Sequence, residues 1–162
     1  MTIRKTKEQD LETVCGIYAD SRAFMRESGN PDQWKDNRPT TAEIKKDITD
    51  GIGYVCESDN EIAAVFHFNI TDEPTYKVID GRWLNDAPYG VVHRIARTKN
   101  LAGKGAAEFC LEWCFDKCGN LRIDTHEANR PMRKLLDKLG YVYCGKIRIE
   151  NGDERFAYQK VR

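Results

Sequence analysis

Residues 93–109 read HRIARTKNLAGKGAAEF, and this stretch decides the fold. A β-rich run from Gly90 to Arg97 passes through a short loop into Gly103-Lys104-Gly105-Ala106-Ala107, and a helical pattern then runs from Ala106 to Lys117 and stops at Gly119. A helix start leaves about four amide hydrogens without internal partners and carries a partial positive charge of about half a unit. Phosphate oxygens are stabilised there, and glycine removes the Cβ atoms that would hold a pyrophosphate away from the backbone. Two other phosphate motifs are excluded. No Gly-Lys-Ser or Gly-Lys-Thr follows, as a P-loop needs, and the third spaced glycine of a dinucleotide fingerprint is missing.

Working outward, residues 2–5 read as a first strand, and Thr6 with Gln9 as a capping box opening a helix that ends near Gly29. Thr40 with Glu43 forms a second box before a short helix ending at Gly51. Residues 54–57 and 62–70 make a hairpin about Ser58, Asp59 and Asn60. The stretch 71–89 reads as an irregular connection containing at most a short strand, long enough to be functional. Downstream, a strand over 121–126, a helix over 129–139 and strands over 141–149 and 155–161 complete the chain, the last two joined through Asn151-Gly152.

The segment HEANRPMRKLLDKLGY, residues 126–141, adds a second signature: a strand exit, Asn129, an amphipathic helix and a Gly-Tyr close. Together with Ala102-Gly103-Lys104-Gly105-Ala106-Ala107, it resembles the GNAT superfamily of N-acetyltransferases, over nearly the whole chain. The resemblance implies an α/β (α+β) fold in one domain, 1–162. Its mixed, mostly antiparallel sheet has six to seven strands, is splayed between strands 4 and 5, and is flanked by about four helices. Acetyl-CoA would lie in the splay as cosubstrate. Ile95, Ala96 and Arg97 would meet its pantetheine, Ala102 to Ala107 its pyrophosphate, and Asn129 with Met132 the arm from the far side. Lys104 and Arg133 are candidates for outer phosphate contacts. Two positions depart from the family pattern: Ala102 stands where Arg or Gln is usual, and Leu136 where many members carry a thiolate-protonating Tyr.

Composition limits the remaining choices. The 162 residues carry 26 Lys plus Arg against 26 Asp plus Glu, which gives no electrostatic footprint for nucleic acid. No apolar run approaches the ~18 residues of a membrane span, and the polar start lacks a secretory pattern, so a cytoplasmic protein, monomer or homodimer, is expected. The six cysteines read as reduced. Cys110, Cys114 and Cys118 form a helical stripe spread over about 12 Å, too long to converge on a metal, so core packing is expected and no metal.

Amine acetylation needs a base, and strand alternation suggests His93 on one strand, with Asp124 and His126 together on the next. In this reading His126 takes the proton and Asp124 holds its tautomer; Cys144 is a core thiol or a late proton donor. His67 carries no assigned role. The acceptor is expected to be a small-molecule primary amine, walled by Trp34 and Trp83 with Glu27 and Asp86 as ammonium partners. Two alternatives are a protein or peptide acceptor, which requires an open groove, and a non-catalytic acyl-CoA sensor, suggested by Leu136.

Overall fold

The computed structural model describes residues Met1–Arg162. The order is β1 (Thr2–Lys5), α1 (Leu11–Glu27), α2 (Thr41–Thr49), β2 (Gly53–Ser58), β3 (Glu61–Ile70), β4 (Asp80–Gly81), β5 (Gly90–Arg97), α3 (Ala106–Cys118), β6 (Asn120–Thr125), α4 (Arg130–Lys138), β7 (Val142–Arg148) and β8 (Glu154–Val161). One sheet runs β1-β2-β3-β5-β6-β8-β7-β4, antiparallel throughout except where β5 meets β6. The mixed sheet and four helices match the sequence expectation. The eighth strand is the two-residue β4, which pairs Gly81 with Gly145. A Cβ on either glycine would stand 2.1 Å from the opposite backbone oxygen, so this edge closes only with glycine on both sides.

Local chemistry sets the helix ends. Thr40 and Glu43 make both bonds of their capping box, at 3.2 and 2.7 Å. The box expected at Thr6 and Gln9 does not form. Asp10 instead accepts the Lys7 amide at 2.7 Å and pairs with Arg4, while the Thr6 amide extends β1 pairing to Gly53. Gly119 ends α3 in the left-handed conformation, φ +64°, where L side chains are strained.

Two apolar layers cover the sheet. One buries Cys110, Leu111, Cys114 and Leu136 of α3 and α4 against Phe66, Phe68, Val92 and Ile123. The other buries Val14, Ile17, Tyr18 and Ile44 of α1 and α2 against Val55, Val65 and Ala96. On that second face, the 71–89 segment packs Tyr76 and Tyr89 against Val91 of β5, Ile147 of β7 and Ala157 of β8. All six cysteines are free thiols, with Cys110 and Cys114 fully buried, as the stripe predicts. No helix is long and apolar enough to cross a membrane.

Strand alternation would put Val92 and Ala96 on one face, yet they lie in opposite layers. A bulge explains this: between the pairs His67↔His93 and Val65↔Ala96, Arg94 and Ile95 of β5 stand opposite Phe66 alone, with Arg94 at φ +52°. That conformation costs a non-glycine residue about 1–2 kcal/mol. It is held from both ends, by Tyr18 Oη donating to the Arg94 carbonyl at 2.8 Å and by the Arg94 guanidinium on Asp47 at 2.5 Å.

Candidate active site

The β5–β6 pairing is short. Gly90, Val91 and Val92 register with Leu121, Arg122 and Ile123, and beyond them β5 pairs only with β3 and β6 only with β8. The sheet therefore opens past Val92, and the bulge lies at the start of the opening. Counted without β4, this is the splay expected between the fourth and fifth strands. The β5 edge at Ile95, Ala96 and Arg97 has no strand on its β6 side.

The start of α3 follows the open end of β5 through residues 98–105 and lies in the α3/α4 layer. Its first internal bond runs from Phe109 N to Gly105 O, which leaves the amides of Gly105, Ala106, Ala107 and Glu108 ahead of it. Gly105 sits at φ +74° with nothing within 4 Å of where a Cβ would stand. An anion can come onto these amides unhindered. Of the expected run Ala102 to Ala107, the first three amides are already engaged, since Ala102 N bonds the Asn100 side chain, Gly103 N bonds Asn100 O and Lys104 N bonds Leu101 O, which leaves Gly105, Ala106 and Ala107 of that run open. Gly103 is a packing glycine, since its Cβ would meet Thr98 O at 2.0 Å. Lys104 is exposed and unpaired, while Arg133 folds onto Glu127 O and the Phe156 ring, away from a phosphate role. Asn129 caps α4 through Met132 N and donates to Gln33 at 2.9 Å; Met132 packs on the core.

On the other face a cleft of about 360 Å³ is lined by Gln33 to Asp36, Arg38, Glu43, His67, Glu73, His93, Arg94, Asp124 and Arg155, among others. His93 is its centre. Nε2 lies 3.0 Å from Glu73 Oε2, and Nδ1 lies 3.8 Å from Asp124 Oδ2. A carboxylate only accepts, so the neutral ring carries its hydrogen on Nε2 and turns the Nδ1 lone pair into the cleft. The hydrogen bond from His93 holds the Glu73 carboxyl below its usual range, against the opposing effect of burial. Asp124 in turn accepts from Tyr76 Oη at 2.6 Å, a charge-assisted bond worth about 1.5–3 kcal/mol. Burial and the Asp124 charge push the Tyr76 hydroxyl far up, so it stays a donor.

The structure separates residues that alternation had joined. β6 ends at Thr125, so His126 lies beyond the strand and the period of two no longer applies. His126 Nδ1 accepts the Ala128 amide at 3.0 Å, and its ring lines a neighbouring cleft with Asp32, Lys35 and Glu127. Burial and the Arg155 charge lower its pKa. The tautomer-fixing pair is thus Glu73 with His93, and Asp124 has no bond to His126. His67, given no role from sequence, is 5.3 Å from His93 ring to ring and joins Asp47 at 3.2 Å.

Of the expected acceptor wall, Trp34 lines the cleft and packs edge-on against Tyr18. Trp83 does not: its Nε1 donates to Tyr76 O and its face covers the Arg122 guanidinium at 4.2 Å. Asp86 is exposed beside the Asn85 junction with Asn120, at the opposite end of β6, and Glu27 is exposed at the end of α1. Cys144 donates to Val142 O inside β7, outside the cleft, and burial raises its pKa. Leu136 is fully buried, so no proton donor stands there. Sequence reasoning missed Glu73, Tyr76 and Arg155. The length of the 71–89 segment was the one available signal for the first two.

The profile of the Acetyltransferase (GNAT) family matches residues 16–141. A GNAT-family acetyltransferase from Streptococcus agalactiae 2603 superposes with a TM-score of 0.90 at 32% identity, over 99% of this chain and 95% of that one. One from Listeria monocytogenes 4b F2365 gives 0.70 at 19%, over 98% and 93%, and one from Bacillus cereus ATCC 10987 gives 0.66 at 18%, over 99% and 97%. At those lower identities the likeness is one of fold. No curated protein matches the chain. With the family profile spanning most of its length and a close structural relative over nearly all of it, this chain belongs to the GNAT family of acetyltransferases.

Proposed function

We propose that the protein moves the acetyl group of acetyl-CoA to the primary amine of a small molecule by direct attack in a ternary complex. One observation carries the reading: His93, with Nε2 on Glu73, lines a cleft at the β5/β6 opening, while the first amides of α3, in the other layer, carry no internal bond. Acetyl-CoA supplies the acetyl group as a thioester. The amides of Gly105 to Glu108 suit its pyrophosphate, and the unpaired β5 edge suits the amide groups of its pantetheine.

His93 takes a proton from the acceptor ammonium at Nδ1, with Glu73 stabilising the imidazolium through Nε2, and releases it to solvent. Asp124, fixed by Tyr76, keeps the amine oriented through a second N–H. After the amine attacks the thioester carbonyl, His93 takes the second proton from the nitrogen and passes it to the departing thiolate, a role that Leu136 cannot fill. The cleft volume lies in the ordinary range for small ligands, and segments 33–39 and 149–151 line it, which is the basis for reading a small acceptor. The test is thiol release from acetyl-CoA with a panel of amines. Acceleration by at least one amine is expected; a coenzyme that binds while no amine accelerates release would overturn the reading.

A further inference from the structure

We propose that the acceptor carries a carboxylate a few bonds from its amine, and that Arg155 is the side chain that reads it. The inference rests on the acyl-transfer reading and specifies its substrate class. Its basis is the charge balance of the cleft wall. Lys35 pairs with Asp153 at 2.7 Å, Arg38 with Glu43, and Arg94 with Asp47 at 2.5 Å. Arg155 has no carboxylate within 4 Å, although it is only 4% exposed. Its bonds go to carbonyls, Glu154 O and Gln33 O, both at 2.9 Å. A buried cation without a counter-charge is costly, and a ligand anion removes that cost.

The other buried arginine shows how the fold itself solves this problem. Arg122 is sandwiched between the rings of Trp83 and Tyr89 at 4.2 and 3.9 Å and lines no cleft. Arg155 has no such cover. The Nε atoms of Arg94, Arg122 and Arg133 are sealed without partners, whereas Arg155 keeps donors that open onto the cleft. Two of its five N–H groups are used, one on each terminal nitrogen, so three donors remain for a carboxylate.

Placement fits a short bifunctional molecule. Asp124 registers with Ala157, two residues from Arg155, so both project from one face of the sheet. His93, Asp124 and Arg155 thus stand on three successive strands of the sheet order, with β5 parting from β6 past Val92 and the His93 Nδ1 3.8 Å from Asp124 Oδ2. An ammonium between His93 and Asp124 leaves a carboxylate a few bonds away to meet the guanidinium, the spacing of an amino acid. Asp124, Asp153 and Asp32 are the acids acting on Arg155 at longer range, and they do not neutralise it at contact.

Thiol release is measured with matched pairs, such as L-phenylalanine against phenethylamine and L-alanine against ethylamine. The wild type should favour the carboxylate-bearing partner in kcat/KM by about a hundredfold, the scale of a charge-assisted forked contact. Arg155→Gln should remove that preference, lowering the amino acids about a hundredfold relative to their plain amines. Propionate and phenylacetate should inhibit the wild type competitively against the amine. If melting shows that Arg155→Gln does not fold, this inhibition decides on the wild type alone. Equal rates within pairs without carboxylate inhibition, or a preference that survives in a folded Arg155→Gln, would overturn the inference and leave acetyl transfer standing. Failure of every amine and amino acid to accelerate release would overturn the underlying reading and the inference with it.

Discussion

The two sides of the β5/β6 opening are built differently. On the α3 side the ligand surface is backbone: a run of consecutive amides exposed because one glycine takes a left-handed turn and the helix has not yet begun its own bonds. On the α1/α2 side it is side chains brought from distant parts of the chain, with Glu73, His93, Asp124 and Arg155 supplied by a connecting segment and three strands. A backbone site depends on local conformation. A side-chain site depends on register, on where a bulge falls, and on which loop folds over it.

The largest effect is expected from breaking the backbone side. Gly105→Asp places a carboxylate within reach of a bound pyrophosphate, and a like charge at about 4 Å costs about 4 kcal/mol at the effective dielectric of a surface site. Acetyl-CoA affinity by calorimetry should fall about a thousandfold, with a stability loss of about 1–2 kcal/mol from the positive φ, since the added side chain meets nothing else. Gly103→Ala sharpens the contrast within one motif. Its Cβ would collide with Thr98 O, so stability should fall by about 2 kcal/mol or more, seen in chemical denaturation. Normal coenzyme binding by Gly105→Asp would remove the cradle.

Next in size is the side-chain base. His93→Ala should lower kcat by about 10²–10⁴ while acetyl-CoA affinity stays near wild type. His126→Ala should change kcat by less than about tenfold, since its Nδ1 is already occupied by the Ala128 amide. If the two variants exchange these outcomes in steady-state kinetics, the proton passes through the neighbouring cleft instead.

Glu73→Gln is the finer test of the same side, because it keeps the shape and removes the charge that supports the imidazolium. A kcat loss of about tenfold is expected, smaller than for the base itself. Stability provides an independent readout. Glu73 titrates below its ordinary value of 4.5 when folded, held there by the His93 hydrogen bond against burial, so it stabilises the fold above that pH. As pH falls through the depressed folded value this contribution is lost. The wild type and Glu73→Gln should therefore differ in denaturation midpoint near neutrality and converge in acid; a gap that widens in acid would contradict the pairing.

The difference between the sides also explains what the sequence disclosed. The strand-to-helix glycine run and the Asn129 helix are each readable within a window of about twenty residues, and they carried the fold, the opening and the family. Even there only part of the expected run is open, because Asn100 draws the Ala102 and Gly103 amides into a tight turn, a contact composition does not announce. On the other side His93 and Asp124 were legible as strand residues. Their true partners, Glu73 and Tyr76, come from an irregular segment with no periodicity to place it. His126 was misjoined because β6 stops one residue early, and a strand's end alters every alternation argument beyond it. The bulge at Arg94 has no sequence mark at all, since arginine seldom adopts a positive φ.

The smallest kinetic effects are expected where sequence reasoning put the acceptor wall and the fold put something else. Trp83 covers Arg122 and closes over Tyr76, so Trp83→Ala should cost about 3 kcal/mol in denaturation through lost packing, with acceptor KM unchanged at temperatures where the variant is folded. Asp86 is exposed at the far end of β6 and should tolerate Ala within about 0.5 kcal/mol and without kinetic change. The pair is informative because the two residues sit three apart in one loop, yet one is structural and the other free. A raised acceptor KM in Asp86→Ala would mean that the amine enters from the β6 start, and that the cluster about His93 is a buried polar junction instead of the reacting centre.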